Sequence, residues 1–195
     1  MERHRLWLDS DRSQGERLDL AAAGLAGVDW SGINLCDADL REANLVGGHF
    51  PGADLFGAEL AGVLLDRAEL AGANLAKSNL DQASLVGCSL RGAKVLRASL
   101  ASADLRGADL SGADLMKAYL VKADLRGAIL ARSHLERASL TGARLGGAVL
   151  SAALGLDLVQ LDWIDIGPDR PERLDRLAAV AWLSAHSVRP WSSDA

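Results

Sequence analysis

The chain has 195 residues, 49% of them hydrophobic, with a net charge of −5; this suits one soluble domain and is far from the acidic extreme of a nucleic-acid mimic or a polyacidic tail. The apolar residues are mostly Leu and Ala, with only two Phe and one Tyr, so small side chains packed in ranks are expected in place of a core of interlocking aromatics. No stretch reaches the roughly 18 apolar residues of a membrane span, the charged start MERHRLWLDSDRSQ lacks the apolar centre of a signal peptide, and a cytoplasmic protein is expected.

The first 17 residues form an N-terminal cap in this reading. Leu6, Trp7 and Leu8 precede a polar stretch and Gly15, and are expected to fold as a short apolar lid over whatever follows.

From Leu20 to Leu150 every fifth residue is apolar, 27 positions without a slip, of which 24 are Leu and the others Trp30, Phe50 and Val95. From Ala23 to Ala148 the residue two before each is small or slim, Ala in 19 of 26 cases, and from Ala22 to Gly147 the residue two after it is Gly in 14 of 26. The residue between is often Asp or Asn, as at Asp39, Asn44, Asp54, Asn74, Asn79, Asp104, Asp109, Asp114 and Asp124. A period of five would rotate the Leu stripe round an α-helix and flip it from face to face along a strand. Short extended segments separated by turns fit: Ala and Leu at i, i+2 share one side, Asp or Asn points to the other, and Gly allows a positive φ.

The motif at AGANL (71–75), REANL (41–45) and ASADLRGADLSGADL (101–115) resembles the pentapeptide repeat family along about 130 residues. The resemblance implies an all-β solenoid, a right-handed quadrilateral β-helix of residues 18–153 with four pentapeptides per coil, so that residues twenty apart stack. At about 4.8 Å per layer, six to seven coils make a rod roughly 30 Å long.

After Leu150 the period is lost, and residues 154–195 read as a C-terminal helical cap. Asp169 with Glu172 three residues on has the pattern of a capping box, Pro171 suits a first turn, and a helix is expected through LDRLAAVAWLSAHSV. Leu174, Leu177, Ala178, Ala181, Ala185 and Val188 line one side, while Val180, Trp182 and Leu183 make the remainder apolar. A helix apolar all round suits burial on two sides, so a homodimer is expected through residues 155–190, with Leu174, Leu177, Val180, Trp182 and Leu183 at the contact; a cap folded wholly on its own solenoid is the alternative.

Catalysis needs convergent groups, and this pattern supplies none: His4, His49, His134 and His186 fall on different parts of the chain with no Cys, Asp or second His at ligand spacing. Cys36 is expected to face outward and Cys88 inward, giving neither a disulfide nor a metal site. The glycines recur as turns and match no phosphate-binding loop. No enzyme activity, cofactor, metal or direct nucleic-acid binding is expected.

Columns of twenty locate two surface features. Cys36, Phe56, Ala76, Leu96, Met116 and Glu136 form a largely apolar stripe, beside which run Asp37, Gly57, Lys77, Arg97, Lys117 and Arg137. Phe56, Leu96 and Met116 with Lys77, Arg97, Lys117 and Arg137 are the candidate partner-binding set, because an apolar patch with a charged rim is what an interface requires. Another strip is mildly acidic, with Asp39, Glu42, Glu59 and Asp81 against Arg41 and Lys122. Some members of the family bind type II topoisomerases as duplex mimics and protect gyrase from its poisons, so the resemblance brings DNA gyrase and topoisomerase IV in as candidate partners. Residues 20–150 hold 14 acidic against 13 basic side chains, well short of the one charge per roughly 1.7 Å that a duplex presents. The leading expectation is a non-catalytic protein-interaction scaffold, with a gyrase-binding resistance or self-protection factor as the alternative.

Overall fold

The computed structural model describes residues 1–168 and 170–187. A short helix α1 (Glu2–Asp9) leads into a solenoid of stacked coils, and the chain finishes with a 3-10 turn (Leu156–Leu158), strands β1 (Trp163–Asp165) and β2 (Arg173–Asp175), and helix α2 (Arg176–Ser187).

Each coil takes twenty residues in four five-residue segments. The residue before each inward Leu bridges in parallel to the one twenty further on, from Asp19↔Asp39 to His134↔Leu154. Leu35 N–H donates to the Asp54 carbonyl at 2.7 Å, Asp54 N–H to the Ile33 carbonyl at 2.8 Å and Asp37 N–H to the Phe56 carbonyl at 2.8 Å, while Ala38 N–H closes the turn on the Leu35 carbonyl at 3.0 Å. One N–H per segment, that of the residue after Leu, lacks a main-chain partner. The Asp or Asn of the motif supplies it: Asn34 Oδ1 accepts from Cys36 N–H at 3.0 Å and Asp109 Oδ1 from Ser111 N–H at 2.9 Å, an Asx turn repeated along the rod. At Ser84 and Ser99 the preceding coil fills in: Asp66 and Asp81 accept from the N–H groups of Val86 and Ala101, and also from the hydroxyls of Ser84 and Ser99.

Inside, Leu40, Leu70, Leu85 and Leu110 are fully buried, with Ala38, Ala73 and Ala113 beside them. Four buried Leu per coil contribute on the order of 6–12 kcal/mol before chain entropy is subtracted. Ser78 and Ser133 take Ala positions without an orphaned hydroxyl, donating to the Leu75 and Leu130 carbonyls at 2.7 and 2.8 Å.

At the N-terminal end the lid differs from the expected one. Leu6 is exposed and Trp7 and Leu8 are only half-buried; His4 is the buried residue of α1. Its Nδ1 accepts the Leu18 N–H at 3.0 Å, so a hydrogen bond rather than an apolar plate ties α1 to the first coil. Leu18, Leu20, Leu25 and Trp30 stay half-buried at that open end.

At the other end the coil pairing runs on past the expected boundary at 153. Ser139 bridges to Gln160 and Arg144 to Asp165, a spacing of 21, and the extra residue is absorbed in the 3-10 turn, entered through Gly155 at φ 73°. Leu161 and Ile164 therefore take core positions and are buried.

The expected helix start is corrected. Residues 173–175 are extended and pair antiparallel with β1, placing Ile164 opposite Leu174, so Leu174 belongs to a strand. Asp165 draws this hairpin closed, accepting the N–H of Gly167 at 3.0 Å and of Glu172 at 2.7 Å. The cap of α2 is Asp175, whose Oδ1 accepts the Ala178 N–H at 3.1 Å; Asp169 lies outside the described residues, as does Val188. The helix lies across the last coil with Ala179 and Leu183 fully buried, and Ala152 N–H donates to the Ser187 carbonyl at 2.8 Å. The stripe read from sequence turns outward: Leu177 is 85% exposed, and Ala178, Ala181 and Ala185 are exposed with it.

Candidate functional site

The second residue after each inward Leu, from Ala22 to Ala152, has a left-handed backbone, a conformation that glycine adopts freely and that other residues pay about 1–2 kcal/mol to adopt. One column uses glycine accordingly, at Gly32, Gly52, Gly72, Gly92 and Gly112. The column expected to bind a partner has glycine only at Gly57, and its Lys77, Arg97, Lys117 and Arg137 hold φ of 60°, 57°, 58° and 59°. Among the described residues none of the four has an ion-pair partner.

The structure brings these cations beside the apolar stripe. Lys77 Nζ stands 5.1 Å from the Phe56 ring centroid, within cation–π range. The stripe itself is less open than expected, because Phe56, Leu96 and Met116 are half-buried and Ala76 is buried. On the other side of the column lies a residue the sequence reading passed over. Tyr119 is 57% exposed and lines a shallow depression of about 400 Å³ together with Arg97, Lys117, Arg137, Ser139 and Gln160. Its signal was available: it is the one aromatic in the column Asp19, Asp39, Glu59, Asn79, Ser99, Tyr119, Ser139.

The acidic strip is mostly engaged in holding the rod together. Asp39 is buried, accepting from Arg41 at 2.9 and 2.6 Å with Arg17 at 3.9 Å, and the Arg41 hydrogen bonds hold its carboxyl below the usual value. Glu59 accepts from Asn79 Nδ2 at 3.1 Å, and Asp81 serves Ser99 and Ala101. Glu42 makes no ion pair among the described residues. A second strip is likewise self-neutralised, with Arg106 on Asp104 and Arg126 on Asp124, both at 2.6 Å, and Arg144 joining Asp124 to Asp165.

Of the residues expected at a dimer contact, Leu183 is buried in its own core, Leu174, Val180 and Trp182 are half-buried, and Leu177 stands free. Among the described residues no group of three His, Cys, Asp or Glu is placed to hold a metal ion, and no helix is long and apolar enough to cross a membrane. Cys36 is half-buried and Cys88 buried, both unpaired. His49 Nδ1 meets Glu69 at 3.2 Å, and His186 Nδ1 lies 2.8 Å from the Trp182 carbonyl.

No curated protein matches this chain. Among solved structures it is similar to HetL, a pentapeptide repeat protein involved in heterocyst differentiation regulation from Nostoc sp. strain PCC 7120, at 26% identity over 80% of this chain and 75% of that one, with a TM-score of 0.33. It is similar also to the pentapeptide repeat protein Rfr23 of Cyanothece 51142, at 25% identity over 66% and 93%, with a TM-score of 0.46. A trypsin-treated form of QnrB1, a plasmid-mediated fluoroquinolone resistance protein, matches at 17% identity over 78% and 81%, with a TM-score of 0.40. The family model for pentapeptide repeats matches in eight copies across residues 19–55, 53–92, 83–120, 96–132 and 118–154, and the chain belongs to the pentapeptide repeat family.

Proposed function

We propose that this protein is a non-catalytic interaction scaffold, a right-handed quadrilateral rod that presents the strip around Phe56, Leu96, Met116 and the Lys77–Arg97–Lys117–Arg137 column to a protein partner. The observation that carries this reading is the column itself. Four cations stack in one column beside an apolar stripe, and none of them has an ion-pair partner among the described residues, whereas Arg41, Arg106 and Arg126 elsewhere on the rod are paired.

The test is capture by chemical cross-linking in the native cell, comparing the wild-type protein with Phe56→Asp plus Leu96→Asp. A partner recovered at near-equal stoichiometry and lost in the variant, then rebound as purified protein, supports the scaffold. Equal recovery by both removes this strip as the binding surface.

The proposed assembly is a homodimer joined through the outer side of α2 around Leu177, whose 85% exposure is the highest among the exposed large apolar side chains of the described residues. Light scattering that returns 20.5 kDa at every concentration excludes it. Gyrase protection, the alternative that the family resemblance raises, is less well supported because residues 20–150 hold 14 acidic against 13 basic side chains and Asp37, Asp39, Asp104, Asp109 and Asp124 each pair with an arginine. A supercoiling assay with and without a fluoroquinolone separates the two readings.

A further inference from the structure

Arg97, Lys117 and Arg137 belong to three consecutive coils, and with Tyr119, Ser139 and Gln160 they line one depression. Every one of these six side chains carries a hydrogen-bond donor and none is a carboxylate. Most other arginines on the rod surface are satisfied from within, as Arg41 is by Asp39, Arg91 by Asp109, Arg106 by Asp104 and Arg126 by Asp124. Here like charges repeat about every 4.8 Å, so charge repulsion opposes the arrangement in the free protein. An anionic partner lying over the column relieves it.

We propose that this column binds an acidic α-helix of a partner protein, laid along the rod axis; the proposal rests on the scaffold reading and names the partner's chemistry. The repeat distances select the helix. A helix carries carboxylates on one side about every 5.4 Å, so over three coil spacings it drifts from the cations by only about 2 Å, within reach of Lys and Arg side chains. An extended strand presents one side about every 6.8 Å and drifts by about 6 Å. A small anion is disfavoured because the depression is open and cannot enclose most of a ligand's surface. A nucleic acid is disfavoured because four cations on a chain of net charge −5 fall short of the 6–10 phosphate contacts that sustain such binding. Tyr119 on one side of the column, with Leu96 and Met116 on the other, gives the apolar flanks of an amphipathic helix somewhere to rest.

The probe is a fluorescein-labelled, alanine-based peptide of about 18 residues with four Glu on one side, titrated with the full-length protein and followed by anisotropy at about 50 and about 300 mM salt. Saturable binding that weakens with salt is expected, and it drops by about tenfold or more in Arg97→Glu/Lys117→Glu/Arg137→Glu. Glutamate tolerates this turn, since Glu42 occupies one at φ 58°, and far-UV circular dichroism verifies that the variant folds. Arg132→Glu, at the same turn position of another column with φ 58°, leaves binding unchanged. An isomeric peptide with its Glu spread round the helix binding equally well overturns the proposal, as does tighter binding of tripolyphosphate or of a single-stranded oligonucleotide. If the triple variant still captures a partner that Phe56→Asp plus Leu96→Asp loses, the scaffold stands and the acidic-helix proposal falls. If neither variant affects capture, both fall.

Discussion

Gly48 and Phe50 share one core site: a β-carbon at Gly48 would lie 2.6 Å from Phe50 Cε2 and 3.0 Å from the Leu45 carbonyl oxygen. Phe50 replaces Leu and is 1% exposed, meeting Trp30 edge-on at 6.0 Å. Its extra volume is accommodated because Gly48 replaces the usual Ala. Gly48→Ala is therefore expected to lower stability by about 1–3 kcal/mol through overpacking, and Phe50→Leu by about 1–2 kcal/mol through a cavity. The double variant restores the family's ordinary Ala–Leu pair and should lose less than the sum. A urea double-mutant cycle measures this, and additivity to within about 0.5 kcal/mol would sink the pairing.

Much of the rod was legible because one physical constraint repeats: an inward pair two residues apart, every five residues. The columns of twenty then placed Lys77, Arg97, Lys117 and Arg137 together. The role of the motif's Asp and Asn was hidden, since their outward direction is a local property, whereas acceptance of the N–H two residues on depends on the turn geometry. The last segments escaped for a different reason. Val159 with Leu161 and Ile164 with Ile166 are two more inward pairs, but a one-residue insertion before them broke the strict period. Likewise Pro171 and Glu172 look like a helix start in isolation, and only the pairing of 163–165 with 173–175 makes the segment a strand.

The two cysteines are expected to be sluggish nucleophiles. Burial, then a hydrogen bond to Asp54, pushes the Cys36 thiol up to about 12, and burial does the same to Cys88, also to about 12. At pH 8 the thiolate fraction falls by about three orders of magnitude relative to a free cysteine. Ellman's reagent should react slowly with the folded protein and count both thiols promptly in guanidinium. Rapid release of one equivalent from the folded protein would contradict the environment described for Cys36.

The N-terminal cap should loosen in acid. Burial holds the pKa of His4 below the ordinary 6.5, with the N-terminal ammonium adding to the effect against Asp37, and its Nδ1 must stay unprotonated to accept the Leu18 N–H. The unfolded cap binds a proton more readily than the folded one, so stability rises with pH here. The contribution is complete above 6.5 and is lost as the pH falls from there through the lowered value. Hydrogen exchange in residues 1–17 should therefore speed up, after correction for intrinsic rates, between about pH 7.5 and 5, while the central coils are unaffected. His4→Gln should flatten that dependence; a cap equally protected at both pH values in the wild type would refute the role given to the imidazole.

Asp165 holds the C-terminal hairpin to the last coil. Its buried carboxylate accepts the N–H of Gly167 and Glu172 and the Arg144 Nε, the last at 2.9 Å. Burial raises its pKa, but these three donors outweigh it and leave the value lowered. Asp165→Asn keeps the size and removes the charge, weakening three charge-assisted bonds and leaving an amide to face donors, at a cost of about 2–4 kcal/mol. Arg144 retains Asp124 at 3.4 Å, so the loss should stay local. Because a solenoid couples mainly between neighbouring coils, amide protection is expected to fall across 160–187 and to remain near wild type between 60 and 120. Uniform loss along the rod would show that the hairpin supports the whole stack, and no loss at all would show that β1 and β2 hold together without the carboxylate.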